Sequence, residues 1–194
     1  MGRAPVTEII RCDWANASEA LRAYHDQEWG VPLHGDAALF EFLVLEGAQA
    51  GLSWRAVLDR RAAYWAAFHG YDIDRVAAMT DDELSAVLSG SGIIRNRLKV
   101  LSVRANARAA LGVIASEGSL DAYLWSFVDH RPIVNAWTQA SEVPARTELS
   151  DTMSRALRKR GFGFLGSTIC YAFMQATGMV NDHLTRCVCR AGAG

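Results

Sequence analysis

Apolar residues recur at intervals of three and four along most of the chain, a spacing that is typical of α-helices with one buried face. A clear example begins at Asp36. Its apolar face carries, at helical spacing, Leu39, Phe42, Leu43 and Gly47. Segments that alternate strictly between apolar and polar residues, as half-buried strands do, are missing. The pattern therefore predicts an all-α fold.

Caps and glycines mark where further helices begin and end. Ser53, Asp72, Thr80 and Ser150 are residue types that cap helix starts, and Thr80 with Glu83 forms a capping-box sequence. The predicted helices span residues 54–68, 73–79, 83–89, 95–116, 119–128, 151–160 and 167–177. Residues 129–148 carry few helix signals and contain two prolines, so we expect a long ordered loop there.

The composition suits one folded domain. The chain has 194 residues, of which 51% are hydrophobic and 21% charged, enough to bury a core. We predict a single domain over residues 1–194, with a short N-terminal arm at 1–10 and a flexible tail at 190–194. The formal net charge of −1 does not by itself indicate a polyanion partner, because binding to phosphates depends on where cations cluster.

The chain also lacks the signals of export and membrane insertion. No apolar stretch is long enough to span a membrane, and the first residues lack the apolar core of a secretory signal. These features predict a cytoplasmic protein with no membrane partner. In that compartment the four cysteines are expected to be thiols or metal ligands rather than disulfides.

Cysteines and histidines near the two ends of the chain have the composition of a zinc site. His183 and Cys187 are four residues apart, so on a helical turn both side chains would lie on one face. Cys12 and His25 would complete a Cys2His2 set, which closes a tetrahedron and makes the metal structural. Spacing alone leaves an equal alternative, a buried cysteine pair with two ordinary histidines. Cys189 competes with Cys187, although on a helix it would point nearly to the opposite side.

Residues 89–99 have the composition of a turn that binds a phosphate between two helices. Two glycines permit unusual backbone angles, an apolar pair follows, and the amides of the next helix start would form an anion site. A helix-hairpin-helix grips a DNA strand in this way without reading its sequence. The predicted backbone-contact residues are Gly90, Gly92, Ile93, Arg95 and Arg97, with Lys99 and Arg104 as further nearby cations. An ordinary turn with solvated charges is the commoner alternative.

Glu46 is a carboxylate inside an apolar helix. Its burial would cost free energy without a hydrogen-bond partner, although periodicity also allows it to face solvent. If it is buried beside tryptophans, charge and aromatic faces would favour a cationic, hydrogen-bond-donating aromatic ligand. Aromatic residues that could form such walls are Trp14, Tyr24, Trp29 and Trp54. Core packing is the simpler interpretation for Trp65, Trp125 and Phe173.

A set of segments, taken in order, resembles one enzyme family. The segments are RCDW, AYHDQEWGVP, LFEFLVLEGAQAGLSW, GIIRNRLKV, LWSFV, RALRKRGFGFLGSTICYAFMQATGMVNDH and the closing Cys187. They extend from about Arg11 to Cys189, nearly the whole chain. Together they resemble the DNA-3-methyladenine glycosylase I family.

This resemblance implies a helix-hairpin-helix glycosylase fold with one structural Zn²⁺ that joins the N- and C-terminal segments. The family's metal ligands map onto Cys12, His25, His183 and Cys187. Its base-recognition residues map onto Glu46, Tyr24, Trp14 and Trp54, with Glu46 also the expected catalytic residue. The implied activity is base-excision repair in the bacterial cytosol or nucleoid. A monomer would hydrolyse the glycosidic bond of 3-methyladenine in double-stranded alkylated DNA, free the base and leave an abasic site.

Lysines suited to strand cleavage are not apparent. The two lysines, Lys99 and Lys159, lie in basic, surface-like contexts, so we expect a monofunctional glycosylase that forms no Schiff base. Two other classes compete with this interpretation. A non-catalytic DNA-binding module stapled by zinc would leave Glu46 without a purpose. A zinc hydrolase needs an open metal position, which four protein ligands argue against.

Overall fold

The computed structural model describes residues 9–90 and 92–192, and this part of the chain is helical. Its α-helices are α1 Glu19–Gln27, α2 Asp36–Gln49, α3 Trp54–Leu58, α4 Arg61–Ala67, α5 Ile73–Ala78, α6 Asp81–Ser89, α7 Arg97–Glu117, α8 Leu120–Trp125, α9 Glu148–Lys159 and α10 Ser167–Ala176. Short 3-10 helices lie at Asp13–Ala17, His69–Tyr71, Ser126–Val128, Ala140–Glu142 and Val188–Gly192. No helix in the described ranges combines the length and apolar character needed to cross a membrane.

The helical prediction is confirmed for these residues. Residues 1–8 of the predicted N-terminal arm and residues 193–194 of the predicted tail lie outside the described part of the chain. Arg190, which the sequence assigned to a flexible tail, instead lies in the last 3-10 helix, and its guanidinium donates to Asn135 O at 3.4 Å. The start of that tail is thus held against the long loop.

Helix α2 runs through the core because it is apolar nearly all round. Leu39, Phe40, Leu43 and Leu45 have no solvent exposure. Around them pack α3, α7, α8 and α10. A helix that is apolar on every side is stable only when neighbours surround it. Any polar residue on α2 is therefore carried into the interior.

Residues 54–68 form two helices rather than the single helix predicted. At Arg60 the backbone leaves the helical conformation, with φ −115° and ψ 1°. Tyr64 is buried whereas Trp65 is 58% exposed. The predicted core position of Trp65 is wrong because the buried side of these helices runs through Val57, Tyr64 and Phe68, at helical spacing, and Trp65 lies beside it. Trp125 and Phe173 are buried, as predicted.

Three of the four predicted caps begin a helix. The side chains that accept the expected backbone hydrogen bonds are those of Ser53, Asp72 and Thr80. Helix α9 differs, because Thr147 is its cap and Ser150 lies in its first turn. Ser150 Oγ accepts from the Thr147 N–H at 2.9 Å, and Thr147 Oγ1 accepts from the Ser150 N–H at 3.2 Å. Both hydroxyls are good caps by residue type, and the earlier one starts the helix.

A short parallel pairing ties the long loop to the C-terminal segment. Strand β1, Ile133–Val134, pairs with β2, Val180–Asn181. The sequence gives no sign of it, because two residues are too few to show alternation. Otherwise residues 129–147 form the expected loop, apart from one 3-10 turn. The pairing places this loop next to residues 181–187, which carry two of the predicted metal ligands.

Candidate functional site

A cavity of about 390 Å³ opens between α1, α2, α3 and α10. This volume falls within the usual range for small-molecule sites, roughly 300–1,000 Å³. Its lining consists of Cys12, Asp13, Trp14, Tyr24, Trp29, Glu46, Gln49, Trp54, Ala140, Val143, Ala172, Gln175, Asp182 and Leu184. The four predicted base-recognition residues, Trp14, Tyr24, Glu46 and Trp54, are all among them.

Glu46 lines this cavity from α2 and is only 2% exposed, which excludes the alternative that it faces solvent. Its Oε2 has no hydrogen-bond partner within residues 9–90 and 92–192. Burial raises the pKa of Glu46 from 4.5 to about 8, so the carboxyl is mostly protonated at neutral pH in the ligand-free protein. A buried, unsatisfied carboxyl oxygen is costly, and a ligand that supplies a hydrogen-bond donor would satisfy it.

Aromatic rings form the walls of the cavity. The ring centroids of Tyr24 and Trp54 are 5.2 Å apart, and Trp14 meets Trp29 edge to face at 5.1 Å. Trp54 is the first residue of α3, and the side chain of Ser53 caps that helix, which fixes where the indole begins. The buried Trp54 Nε1 also lacks a partner among the described residues. Such walls suit a flat ligand, and a cationic one most of all.

A second buried carboxylate lines the cavity and was not predicted. Asp182 is 1% exposed, and each of its oxygens accepts two hydrogen bonds. The donors are Asn135 Nδ2 at 2.6 Å, Trp137 Nε1 at 2.7 Å, Tyr171 OH at 2.6 Å and Gln175 Nε2 at 2.8 Å. Asp182 therefore ties α10 and the long loop to the segment before His183. The available signal was an acidic residue directly before the predicted ligand His183, in the segment MVNDH.

The four predicted metal ligands meet beside the cavity. Cys12, His25, His183 and Cys187 are buried, and their ligand atoms lie within 4.8 Å of one another. Cys187 Sγ is 3.4 Å from both His25 Nε2 and His183 Nδ1, and Cys12 Sγ is 3.8 Å from His183 Nδ1. A tetrahedral Zn²⁺ with bonds of about 2.0–2.3 Å needs ligand separations of this size. The residues present thus fit a zinc ion, while Cys189 lies outside the set.

The local structure that presents His183 and Cys187 is not the predicted helical turn. Residues 182–187 form an irregular turn in which the Cys187 N–H donates to Leu184 O at 2.8 Å. This bond closes the turn and brings the two ligand atoms to 3.4 Å. The spacing of four residues was therefore the correct signal, although a different backbone produces the same proximity.

In both histidines of the cluster, the ring nitrogen that faces away from the cluster centre is hydrogen-bonded. His25 Nδ1 is 2.8 Å from Asp26 Oδ1, and the Arg11 guanidinium holds Asp26 and lowers its pKa to about 2. His183 Nε2 lies 2.9 Å from Trp29 O. These contacts fix the rings and leave His25 Nε2 and His183 Nδ1 directed at the cluster centre.

The cluster also shares its walls with the cavity. The Trp14 ring meets the His25 ring edge-on, with their centroids 5.2 Å apart. The Trp29 ring meets the His183 ring in the same way, with a centroid distance of 4.7 Å. Burial raises the pKa of Cys12 to about 12 and lowers that of His183 to about 4. Both shifts express the cost of charge in this region, and a divalent cation would offset that cost for the thiolates. An ion held here would position the two tryptophans.

The predicted phosphate-binding turn lies between α6 and α7. Ile93 is buried and anchors it to the core. Gly92 has φ +109°, a conformation that favours glycine, and a side chain there would also meet Ala63. Gly90 has φ −67° and ψ 169°, which any residue can adopt, so the unusual backbone predicted at Gly90 is wrong. Only one of the two glycines is required by the backbone of the turn.

The four cations near this turn have two different roles. Arg95, just before α7, and Arg97, its first residue, are exposed, and Arg95 also donates to Gly90 O at 3.3 Å. Arg104 instead donates to a backbone carbonyl and to the Asp81 carboxylate at 2.6 Å, holding the start of α6. Lys99 directs its ammonium into the protein, toward the end of α2. Of the predicted cations, Arg95 and Arg97 are the ones placed for contact with an external phosphate.

Comparison with known proteins points to one family. A family model described as methyladenine glycosylase matches residues 14–191. The chain is 47% identical over 182 residues to DNA-3-methyladenine glycosylase 1 of Escherichia coli strain K12, covering 94% of this chain and 97% of that protein.

Two solved structures show the same likeness. A crystal structure of 3-methyladenine DNA glycosylase I superimposes with a TM-score of 0.90 at 47% identity, covering 93% of this chain and 99% of the other. A structure that describes 3-methyladenine recognition by 3-methyladenine DNA glycosylase I from Staphylococcus aureus gives a TM-score of 0.90 at 30% identity. The latter match covers 93% of this chain and 96% of that one.

Proposed function

The chain belongs to the methyladenine glycosylase family, and from that premise we propose that it excises 3-methyladenine from alkylated double-stranded DNA. It is a hydrolase acting on N-glycosyl bonds, and its products would be the free base and an abasic site. The enzyme would act as a monomer in base-excision repair. The observation that supports this function most strongly is the buried, unpartnered carboxyl of Glu46 in an aromatic cavity.

Access to the damaged base requires that the nucleotide leave the duplex. A base inside the stack cannot reach the cavity, so the enzyme would extrude it, as glycosylases do. Methylation at N3 gives the base a positive charge while it is still attached to the sugar. When the C1′–N9 bond breaks, its electron pair stays with the base, which departs as a neutral molecule. Water adds to C1′ and its proton is released, so strong acid catalysis by the protein is unnecessary.

Selection of the methylated base would depend on Glu46 and the aromatic walls. A cationic base beside Glu46 favours the ionised carboxylate, which can then accept a hydrogen bond from the base edge. Trp54 and the neighbouring rings would stack on the cation, each worth about 0.5–2 kcal/mol when partly desolvated. Neutral adenine offers no charge to offset ionisation of a carboxyl whose pKa is about 8. The cavity therefore discriminates by charge as well as by shape.

The zinc ion that we propose would be structural. Cys12, His25, His183 and Cys187 would occupy all four positions of a tetrahedron, leaving none for water or substrate. When bound, the ion would supply cross-linking of the chain's two ends and no acid–base chemistry. Trp14 and Trp29, which contact the histidine rings, would be positioned indirectly by this cross-link.

The turn at 89–99 would hold the DNA backbone in the manner of a helix-hairpin-helix. Gly90, Gly92 and Ile93 shape the turn, and the exposed Arg95 and Arg97 add positive charge at the start of α7. Backbone amides at a helix N-terminus attract a phosphate regardless of the sequence. Such contacts suit an enzyme that must find one damaged base in any sequence context.

Monofunctional chemistry is part of the proposal. The Lys99 ammonium donates to two backbone carbonyls, at 2.8 and 2.6 Å, and Lys159 is exposed on α9. The lining of the cavity contains neither lysine. Strand cleavage by a lyase requires a Schiff base with the abasic sugar, and among the described residues no lysine amine lies at the cavity to form it.

The decisive experiment is incubation of the purified protein with methylated DNA, followed by chromatography of the released bases. We expect 3-methyladenine in the soluble fraction and intact strands until the abasic sites are cleaved chemically. Binding of the DNA without release of any base would instead indicate a non-catalytic DNA-binding module. Strand breaks formed by the enzyme alone, or an adduct trapped by borohydride, would contradict the monofunctional mechanism.

A further inference from the structure

Lys99 occupies a position that joins the proposed DNA-binding turn to the base cavity. It is the third residue of α7, the helix that follows the turn. Its Nζ donates to Ala48 O at 2.8 Å and to Ala50 O at 2.6 Å. These residues lie 51 and 49 positions earlier in the chain, at the end of α2. One side chain thus links two distant parts of the fold.

Ala48 lies in the last turn of the helix that carries Glu46, and Ala50 is the residue directly after that helix. Helix α2 ends at Gln49, and the final carbonyls of a helix have no partner within it. A cation at this end satisfies them and interacts favourably with the helix dipole. Both Glu46 and Gln49 line the cavity, and only residues 50–53 separate α2 from Trp54. The end of α2 therefore sets the distance between the carboxyl and the indole.

We propose that Lys99 is a positioning residue for base excision. Its ammonium fixes the end of α2 and the connection to Trp54 relative to α7, so that DNA held at the turn presents the extruded base to a correctly spaced cavity. This inference rests on the proposed glycosylase function. It assigns Lys99 to the spacing of Glu46 and Trp54 rather than to direct contact with a phosphate.

The geometry argues against the simpler role of a phosphate contact. An ammonium has three donors, and two of those of Lys99 are taken by the carbonyls. Lys99 is partly buried, and this burial lowers its pKa. Arg95 and Arg97, which precede it, are exposed, and although Arg95 donates to Gly90 O at 3.3 Å, both guanidiniums remain accessible to DNA. The cations of this segment are therefore divided between contact with DNA and internal support.

The test compares Lys99→Met with the matched change Lys159→Met at the other lysine, which is exposed. The measurements are single-turnover release of 3-methyladenine at saturating enzyme and the dissociation constant for a duplex that contains an abasic-site analogue. We expect Lys99→Met to lower the rate by roughly tenfold to a hundredfold, because small misplacement of reacting groups has effects of that size. The dissociation constant and its salt dependence should stay at the wild-type values. Lys159→Met should match the wild type in both.

A second variant, Lys99→Arg, keeps the charge but changes the length and shape of the donor group. A phosphate contact would tolerate arginine, whereas the two carbonyls are spaced for the lysine ammonium, so we expect slower release with unchanged DNA affinity. This variant also carries the test if Lys99→Met does not fold.

Several outcomes would overturn the inference. Weaker DNA binding with a salt slope reduced by about one would make Lys99 a phosphate contact. A lower melting temperature with a wild-type rate would make its role merely structural. If the wild-type protein releases no base, the proposed function fails and the inference fails with it. If the wild type releases 3-methyladenine and the Lys99 variants release it at the same rate, the inference fails while the proposed function stands.

Discussion

Glu46 lies where an apolar residue would stabilise the fold more. Its neighbours on α2 are buried, and it carries an oxygen without a partner among the described residues. Burying a polar group in this way costs roughly 1–3 kcal/mol by mutational measures. A leucine or methionine at this position would avoid that cost. The residue is thus better explained by what enters the cavity than by what holds the fold together.

The substitution Glu46→Gln should remove most of the excision activity while the protein still folds. Glutamine keeps the size of the side chain but cannot offer a negative charge to the methylated base. Since hydrogen bonds to charged groups are worth about 1.5–3 kcal/mol, we expect kcat/KM to fall roughly tenfold to a hundredfold. The measurement is release of 3-methyladenine from methylated DNA. Glu19→Gln, the same change at an exposed site on α1, is the matched control, and full activity of Glu46→Gln would refute the proposed role.

The same substitution should change how stability depends on pH. The folded protein keeps the Glu46 proton up to about pH 8, whereas the unfolded chain releases it near 4.5. Between these values the folded state binds one more proton, so the stability of the wild type falls as pH rises, by about 1.4 kcal/mol per unit. Glu46→Gln removes this contribution. Urea denaturation at several pH values measures the free energy of unfolding. Between pH 4.5 and 8 that of the variant should rise relative to the wild type, and the same pH dependence in both proteins would contradict a raised pKa.

At the level of helices and turns, the basic residues of the segment from α6 to α7 differ in what they contact. Arg104 is used to hold α6 through Asp81, and Lys99 is used to hold α2. The exposed pair, Arg95 and Arg97, is left beside the N-terminus of α7. All four basic residues look alike in the sequence, and only the packing of the helices separates the exposed pair, which we propose contacts DNA, from the pair that supports the fold.

Replacement of Arg97 by alanine should weaken DNA binding to a similar degree for all sequences. A lost phosphate contact lowers the slope of log affinity against log salt by about 0.9. Titration of a duplex containing an abasic-site analogue at several salt concentrations measures this slope. Arg104→Ala is the matched control on the same helix, and it should lower the melting temperature without changing the slope. An unchanged slope for Arg97→Ala would place the phosphate contacts elsewhere.

At the scale of the whole molecule, the cysteine–histidine cluster joins the two ends of the chain. Cys12 and His183 are 171 residues apart in sequence, and their ligand atoms are 3.8 Å apart. A second, small apolar cluster surrounds this point, formed by Cys12, Leu184 and Cys187. So few apolar side chains bury little area, and a metal cross-link would supply what this part of the core lacks.

Metal removal should therefore lower stability more than it alters the chemistry. We expect about one zinc ion per chain by elemental analysis, and a lower melting temperature after chelation or in Cys187→Ser. A loss of even about 3 kcal/mol would shift the melting temperature by roughly 6–12 °C in a chain of this size. Cys189→Ser, the same change two residues away, should retain the metal. Substitution of another divalent metal should change stability but not the rate of base release, and a changed rate would indicate that the metal takes part in the reaction.

Much of the fold was predictable because it follows from local patterns. The helix over residues 36–49, the capping box at Thr80 and the end of α9 shortly before Gly161 follow from periodicity and residue type. Errors arose where the wrong side of a helix was taken as buried, as at Trp65, because Tyr64 and Phe68 face the core instead. The two-residue strands at 133–134 and 180–181 were not predicted either, because only their pairing with each other defines them as strands.

The contacts that form the candidate site were harder to predict from local patterns. The residue types of a closed Cys2His2 set and an acidic residue in an apolar helix are evident from the amino acids alone, and the family resemblance connected them. Periodicity could not decide whether Glu46 faced solvent, whether Cys187 or Cys189 joined the cluster, or what Lys99 contacted. It also gave no role to Asp182. Each answer depends on contacts between residues far apart in the chain, and these exist only once α2, α7 and the C-terminal turn have packed together.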